Sequence, residues 1–247
     1  MPRLFRPFLG IAFATVLAST MLLGGCSTTV ESTPSAAKAL QQGEALPPAV
    51  TGFLGPDASK LQPGGKGKAA LVWANPNAQW AQYTKIYVKP VEFWAADDSK
   101  VSPDDQKVLT TYFYNQLQTT LAKNFTIVDQ PGPGVLVLRV ALMDATTATP
   151  GLRTISVVVP QARILNLGQS LATGSYAFVG SAEAEMMMTD GATGELLAEA
   201  VDQRAGGMGI KSAASFRWGD SENAMDYWSQ TISDRLLALQ GRTAAQT

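Results

Sequence analysis

The sequence predicts an α+β fold: a mainly antiparallel, or mixed, sheet of about six strands covered by two long amphipathic helices. Three observations lead there. Apolar residues recur at three- and four-residue spacing in two stretches, 102–123 and 220–239. Short β-branched runs bounded by Gly, Pro or Asp fill much of the remainder. Each helix then has one apolar face, which a sheet can cover. With 46% hydrophobic and 16% charged residues, the 247-residue chain has the composition of a folded protein.

Met1–Arg6 carries two arginines and no acid, and residues 7–23 form an apolar stretch before Gly24-Gly25-Cys26. A cationic head, an apolar segment and small residues at a cut site make a secretory signal over residues 1–25. A retained membrane helix is the competing reading, since about 20 apolar residues span a bilayer. Leu23-Gly24-Gly25-Cys26 resembles a bacterial lipobox. That resemblance implies cleavage before Cys26 and lipid attachment to it, and several acyl chains on one residue anchor stably where one does not. Ser27, not aspartate, follows the cysteine, which by resemblance to the enteric sorting rule favours the outer membrane over the inner. Residues 26–50, rich in Ser, Thr, Ala, Pro and Gln, read as a flexible tether, with a strap lying on the domain as the alternative. Residues 51–240 are expected as a single periplasmic α+β domain and 241–247 as a disordered tail.

Within that domain, Ala69–Trp73 reads as the first strand and Tyr83–Val91 as a second, where Pro90 marks a strand end or an edge position. Ser102-Pro103-Asp104-Asp105 opens a helix: a capping serine, proline at the first helical position, acids in the first turn. Its stripe is Val108, Leu109, Tyr112, Phe113, Leu117 and Leu121. Phe125–Asp129 is a short strand and Val135–Leu142 a continuous apolar one, suited to the middle of a sheet. Ile155–Val159 is a further apolar run, and 161–174 fits strand and irregular structure equally. Phe178–Thr189 and Glu195–Arg204 flank Asp190–Gly194 as a hairpin. Counting back from an Asp190–Glu195 pair sets Glu183 opposite Asp202 and Glu185 opposite Ala200. The closing helix, Asp220–Leu239, carries Met225, Trp228, Ile232, Leu236 and Leu239 on one stripe.

Composition excludes several chemistries. With no histidine, imidazole serves neither as base nor as ligand, and the one cysteine forms no internal disulfide or thiolate cluster. A net charge of −1 offers nucleic acid no general attraction. Gly64-Gly65-Lys66-Gly67-Lys68 lacks the phosphate-loop spacing, and Gly206-Gly207-Met208-Gly209 lacks the dinucleotide one. No GxSxG occurs. No catalytic, cofactor-binding or metal residue is therefore expected. The acids that raise the question are Glu183 and Glu185, two apart on one strand face, with Asp202 near. A solvated face explains them; an ion pair with Arg139 or Arg204, a weak cation site, and paired-carboxylate catalysis are the alternatives. Trp80 and Trp94, beside loops, are candidates for a partner or ligand surface together with Glu183 and Glu185.

The blocks GFLGPDASKL (52–61), WAQYTKIYVKPVEFW (80–94), VDQPGPGVLVLRVAL (128–142) and GSAEAEMMMTDGATGELLAEAVDQRAG (180–206), with Asp226-Tyr227-Trp228, resemble one family in order. It is the bacterial lipoprotein family catalogued as domain of unknown function 3313. The resemblance implies a lipoprotein of a Gram-negative envelope and no established catalytic residue. The resulting expectation is a non-enzymatic, outer-membrane-anchored periplasmic protein with no cofactor, held by the membrane and binding an envelope protein or glycan. A carboxylate-dependent envelope hydrolase and a small-molecule or lipid-binding module are the alternatives.

Overall fold

The computed structural model describes residues 29–65, 67–94, 99, 101–146, 180–206 and 218–243. The leader and Cys26 lie outside these, as do the run Ile155–Val159 and the segment 161–174. The elements in order are β1 (Thr29–Ser32), α1 (Ser35–Gln42), α2 (Pro48–Leu54), β2 (Gln62–Pro63), β3 (Leu71–Ala74), β4 (Lys85–Val88), β5 (Glu92–Phe93), α3 (Pro103–Leu121), β6 (Thr126–Ile127), β7 (Val135–Thr146), β8 (Ser181–Asp190), β9 (Leu196–Gly206) and α4 (Gly219–Leu239).

The expectation of about six strands and two helices is corrected. Nine strands and four α-helices stand among the described residues. The sheet runs β2-β3-β9-β8-β7-β4-β6, with β1 also on β9 and β5 also on β7. It is genuinely mixed: β4 pairs in parallel with both β6 and β7, and β5 in parallel with β7, while the β3-β9-β8-β7 half is antiparallel. The parallel half arises because α3 is a crossover between β5 and β6, and a crossover returns the chain in the same direction. Three strands, β1, β2 and β5, escaped the periodicity because two to four residues complete barely one alternation.

The two long helices form where their signals lie. Ser102 Oγ accepts the Asp105 N–H at 3.2 Å, capping α3, and Leu109, Phe113, Leu117 and Leu121 are wholly buried along its stripe. Met225, Trp228, Ile232 and Leu236 are buried on α4, whereas Leu239 at its end stays 44% exposed. The helices start at the same end of the sheet and run parallel: Trp218 donates to Asp105 at 3.0 Å, Tyr112 to Asp226 at 2.8 Å and Asn124 to Ser233 at 3.1 Å. They cover one face, together with Ile86, Val88, Leu136, Leu138, Val140, Leu142, Ala184 and Met186.

The second face is covered too. Residues expected as a tether form β1, α1 and the first turn of α2, and Ala36, Ala37, Val50, Phe53 and Leu54 pack with Ala58, Leu71, Ala141, Met143 and Val201. Small alanines let α1 approach closely, and Val50, Phe53 and Leu54 give α2 an i, i+3, i+4 stripe after a Pro at its first turn. The described start of the expected tail is also docked, with Arg242 5.5 Å over the Phe125 ring. β7, β8 and β9 are thus roofed on both sides, whereas β4 is covered only on the face of Ile86 and Val88.

Candidate functional site

The second roof changes what the acids are. Glu183 and Glu185 do share a face, but it is dry: Glu185 is 0% exposed and Glu183 7%. The solvated-face expectation fails because it allowed helices on one side of the sheet only. Glu199, on β9 opposite Met187, joins them at 1% exposure. Neither carboxyl oxygen of Glu185 or of Glu199 has a hydrogen-bond partner. Burial pushes the Glu185 carboxyl up to about 8, helped by the neighbouring charges of Glu183 and Glu199. Burial likewise raises Glu199 to about 7, with Asp57 adding to the effect and Lys60 opposing it. The Ser35 hydroxyl donates to Glu183 at a long 3.5 Å.

Asp202 does not belong to this group. Asp190 N–H does bond the Glu195 carbonyl at 2.9 Å, so the turn is as expected. The register then shifts between Met188 and Thr189, which pair with Ala198 and Leu196 and leave Leu197 as the extra residue. One extra residue moves everything beyond it to the opposite face. Glu183 therefore pairs with Gln203 and Glu185 with Val201, while Asp202 turns to the α4 side opposite Ala184.

There Asp202 is a fastening. One oxygen accepts Ala70 N–H at 3.0 Å; the other accepts Arg204 Nε and Trp228 Nε1, both at 2.8 Å. The Arg204 guanidinium lies 4.0 Å from the Tyr227 ring centre and donates to its hydroxyl at 3.0 Å. Among the described residues, neither Arg139 nor Arg204 pairs with Glu183 or Glu185. Arg204 is held by Asp202, and Arg139 by Glu92, at 2.7 and 3.0 Å, and by the Phe53 carbonyl.

Trp80 and Trp94 do not form a common surface. Trp80 is 8% exposed in a 3-10 turn, edge-on to Tyr83, within the core under α3 and α4. Trp94 is half-buried on the other face, edge-on to Phe53 at 5.9 Å, and donates to Glu92 at 2.8 Å.

A concave site lies beside the Asp202 fastening, between α4 and the β3-β9 edge, with Asp202, Arg204 and Trp228 in its lining. It is a groove of about 350 Å³ bordered by Val72 and Ala74 of β3, Ala198 and Ala200 of β9, Met186 and Met188 of β8, and Tyr227, Thr231 and Leu239 of α4. Its origin is side-chain size. Alanines at 74, 198 and 200 leave space beneath a helix that larger residues would fill. Lys68 and Arg235 border it, and Arg235 donates to the Gly67 carbonyl across the opening. Small-molecule sites run from roughly 300 to 1,000 Å³, mostly apolar with a few polar groups. The sequence did carry a signal for it, the alternate alanines 198 and 200 facing an amphipathic helix, but not the bulge that sets which face they take. Among the described residues no three potential ligands gather for a metal ion, and no helix is long and apolar enough to cross a membrane.

The model of the family described as "Protein of unknown function (DUF3313)" matches residues 50–232, and the chain belongs to that family. No curated protein matches it. Among solved structures it is similar to the PelC dodecamer from Paraburkholderia phytofirmans, at 12% identity and a TM-score of 0.35, covering 66% of this chain and 96% of that one. It is also similar to a DUF4136 family protein from Bacteroides thetaiotaomicron, at 15% identity and a TM-score of 0.33, covering 67% and 95%.

Proposed function

We propose that this DUF3313 protein is a lipid-anchored accessory protein of the Gram-negative envelope that binds an apolar small molecule without transforming it. The groove beneath α4 is the observation that carries this reading: it is concave, apolar along its floor and polar at one border. It favours the ligand-binding alternative over a protein or glycan platform, because Trp80 and Trp94 lie on opposite faces and are engaged in packing. The lipobox-like Leu23–Cys26 supports acylation of Cys26, and Ser27 supports the outer membrane, with the folded part facing the periplasm.

Paired-carboxylate catalysis is the weaker reading. It needs two acids that reach a substrate and differ in protonation. Glu185 is sealed from solvent and lies on the face away from the groove. A titration with the neutral fluorophore N-phenyl-1-naphthylamine tests the binding reading. Saturable, blue-shifted emission is expected, and A74W, which fills the groove from an exposed edge position, should abolish it. A response that A74W leaves intact would remove the groove from consideration.

A further inference from the structure

We infer that the protein holds the start of β1, at one pole of its sheet, within a short reach of the bilayer. The inference rests on the acylation of Cys26 proposed above, and on where the chain enters the fold. β1 begins at Thr29, three residues after Cys26. Three extended residues reach about 10 Å. A flexible tether over 27–50 would instead allow a mean span of roughly 27 Å.

β1 is built into the sheet. Thr29, Val30, Glu31 and Ser32 pair with Gly206, Ala205, Arg204 and Gln203, and Thr29 and Ser32 are buried. Ser32 Oγ donates to Gln203 at 3.3 Å, and Glu31 lies 4.0 Å from Arg204. The next segment, α1, is packed by Ala36 and Ala37. Lengthening the connection would mean stripping a strand and then a helix from the body.

The pole is defined by the same pairings. Thr29 enters where β9 ends at Gly206, where Thr146 ends β7 opposite Ser181 of β8, and where α4 begins. The Gly180 N–H bonds Asp220 at 2.8 Å, and Ser221 donates to the Ser181 carbonyl at 3.3 Å, fixing the α4 start there. The Asp190–Leu196 turn lies at the opposite pole, nine strand steps or roughly 30 Å away. An acylated Cys26 thus keeps Thr29 within about 10 Å of its attachment point, with the hairpin turn at the far end of the sheet.

The test uses full-length protein, processed in a Gram-negative host and purified with its anchor. Glu31→Cys and Ala192→Cys, each an exposed position, receive an environment-sensitive fluorophore, and the protein enters phosphatidylethanolamine–phosphatidylglycerol vesicles containing headgroup spin-labelled lipid. The label at 31 should be strongly quenched and that at 192 unquenched, and a long Gly-Ser spacer inserted after Ser27 should relieve quenching at 31. Mass measurement on the same samples reports acylation. Absence of acyl chains would overturn the anchor and the seating together. Acylated protein quenched equally at both positions, or indifferent to the spacer, would overturn the seating alone.

Discussion

The indole of Trp228 donates to the Asp202 carboxylate at 2.8 Å, joining α4 to β9 at a point where both residues are at most 2% exposed. That carboxylate also holds Arg204 and the Ala70 amide, so α4, β9 and the residue leading into β3 meet on one side chain. Trp228→Ala should lower stability by about 3–5 kcal/mol, through the cavity and the lost bond. Trp228→Phe should cost less, about 1–3 kcal/mol, since it keeps most of the volume and leaves Asp202 one donor short. Asp202→Ala should exceed Trp228→Phe, because it strands the buried Arg204 charge. Urea unfolding of non-acylated C26S protein measures all three, and equal midpoints for Asp202→Ala and wild type would refute the fastening.

Stability should rise on acidification from pH 8 towards 4.5. Glu185 and Glu199 have folded values near 8 and 7 against an ordinary 4.5. Both stabilise fully while protonated in folded and unfolded chains alike. Between the unfolded and folded values, unfolding releases protons, so each group lowers stability as the pH rises. Glu92 and Asp190 are held below their ordinary values, by Arg139 and by local hydrogen bonds respectively, and oppose the trend only in more acid solution. Glu185→Gln should flatten the slope and raise stability at pH 8. A pH profile that E185Q leaves unchanged would contradict a buried, unpaired carboxyl at that position.

Acylation is tested by metabolic palmitate. Wild-type protein should incorporate label and fractionate with the outer membrane, and C26S should do neither. Label persisting in C26S would place the lipid elsewhere, whereas labelled wild type in the inner membrane would refute only the sorting inference from Ser27.

Much of the fold was legible where a signal repeats. The α3 cap at Ser102, the buried stripe of α4 as far as Leu236, the apolar β7 and the Asp190 turn all stand as the pattern implied, while Leu239 at the end of that stripe is exposed. What was not legible has two causes. Strands such as Gln62–Pro63 and Glu92–Phe93 are too short for any period and exist only through their neighbours. The bulge at Leu197 leaves no composition signal, yet it moves Asp202 away from Glu183 and Glu185 and dissolves the acidic patch counted from the turn. The dryness of that face followed from α1 and α2, whose alanine- and proline-rich residues read as a tether until the sheet gave them something to cover. The groove needed both facts, since it depends on which face Ala198 and Ala200 take.

Methyl resonances of the consecutive methionines test the binding reading most directly. Met186 and Met188 border the groove, whereas Met187 packs on the opposite face with Phe53 and Val201. In protein carrying labelled methionine methyl groups, saturating N-phenyl-1-naphthylamine should shift Met186 and Met188 and leave Met187 in place. A shift at Met187 with the other two unmoved, or no shift at any of the three, would contradict a ligand site beneath α4.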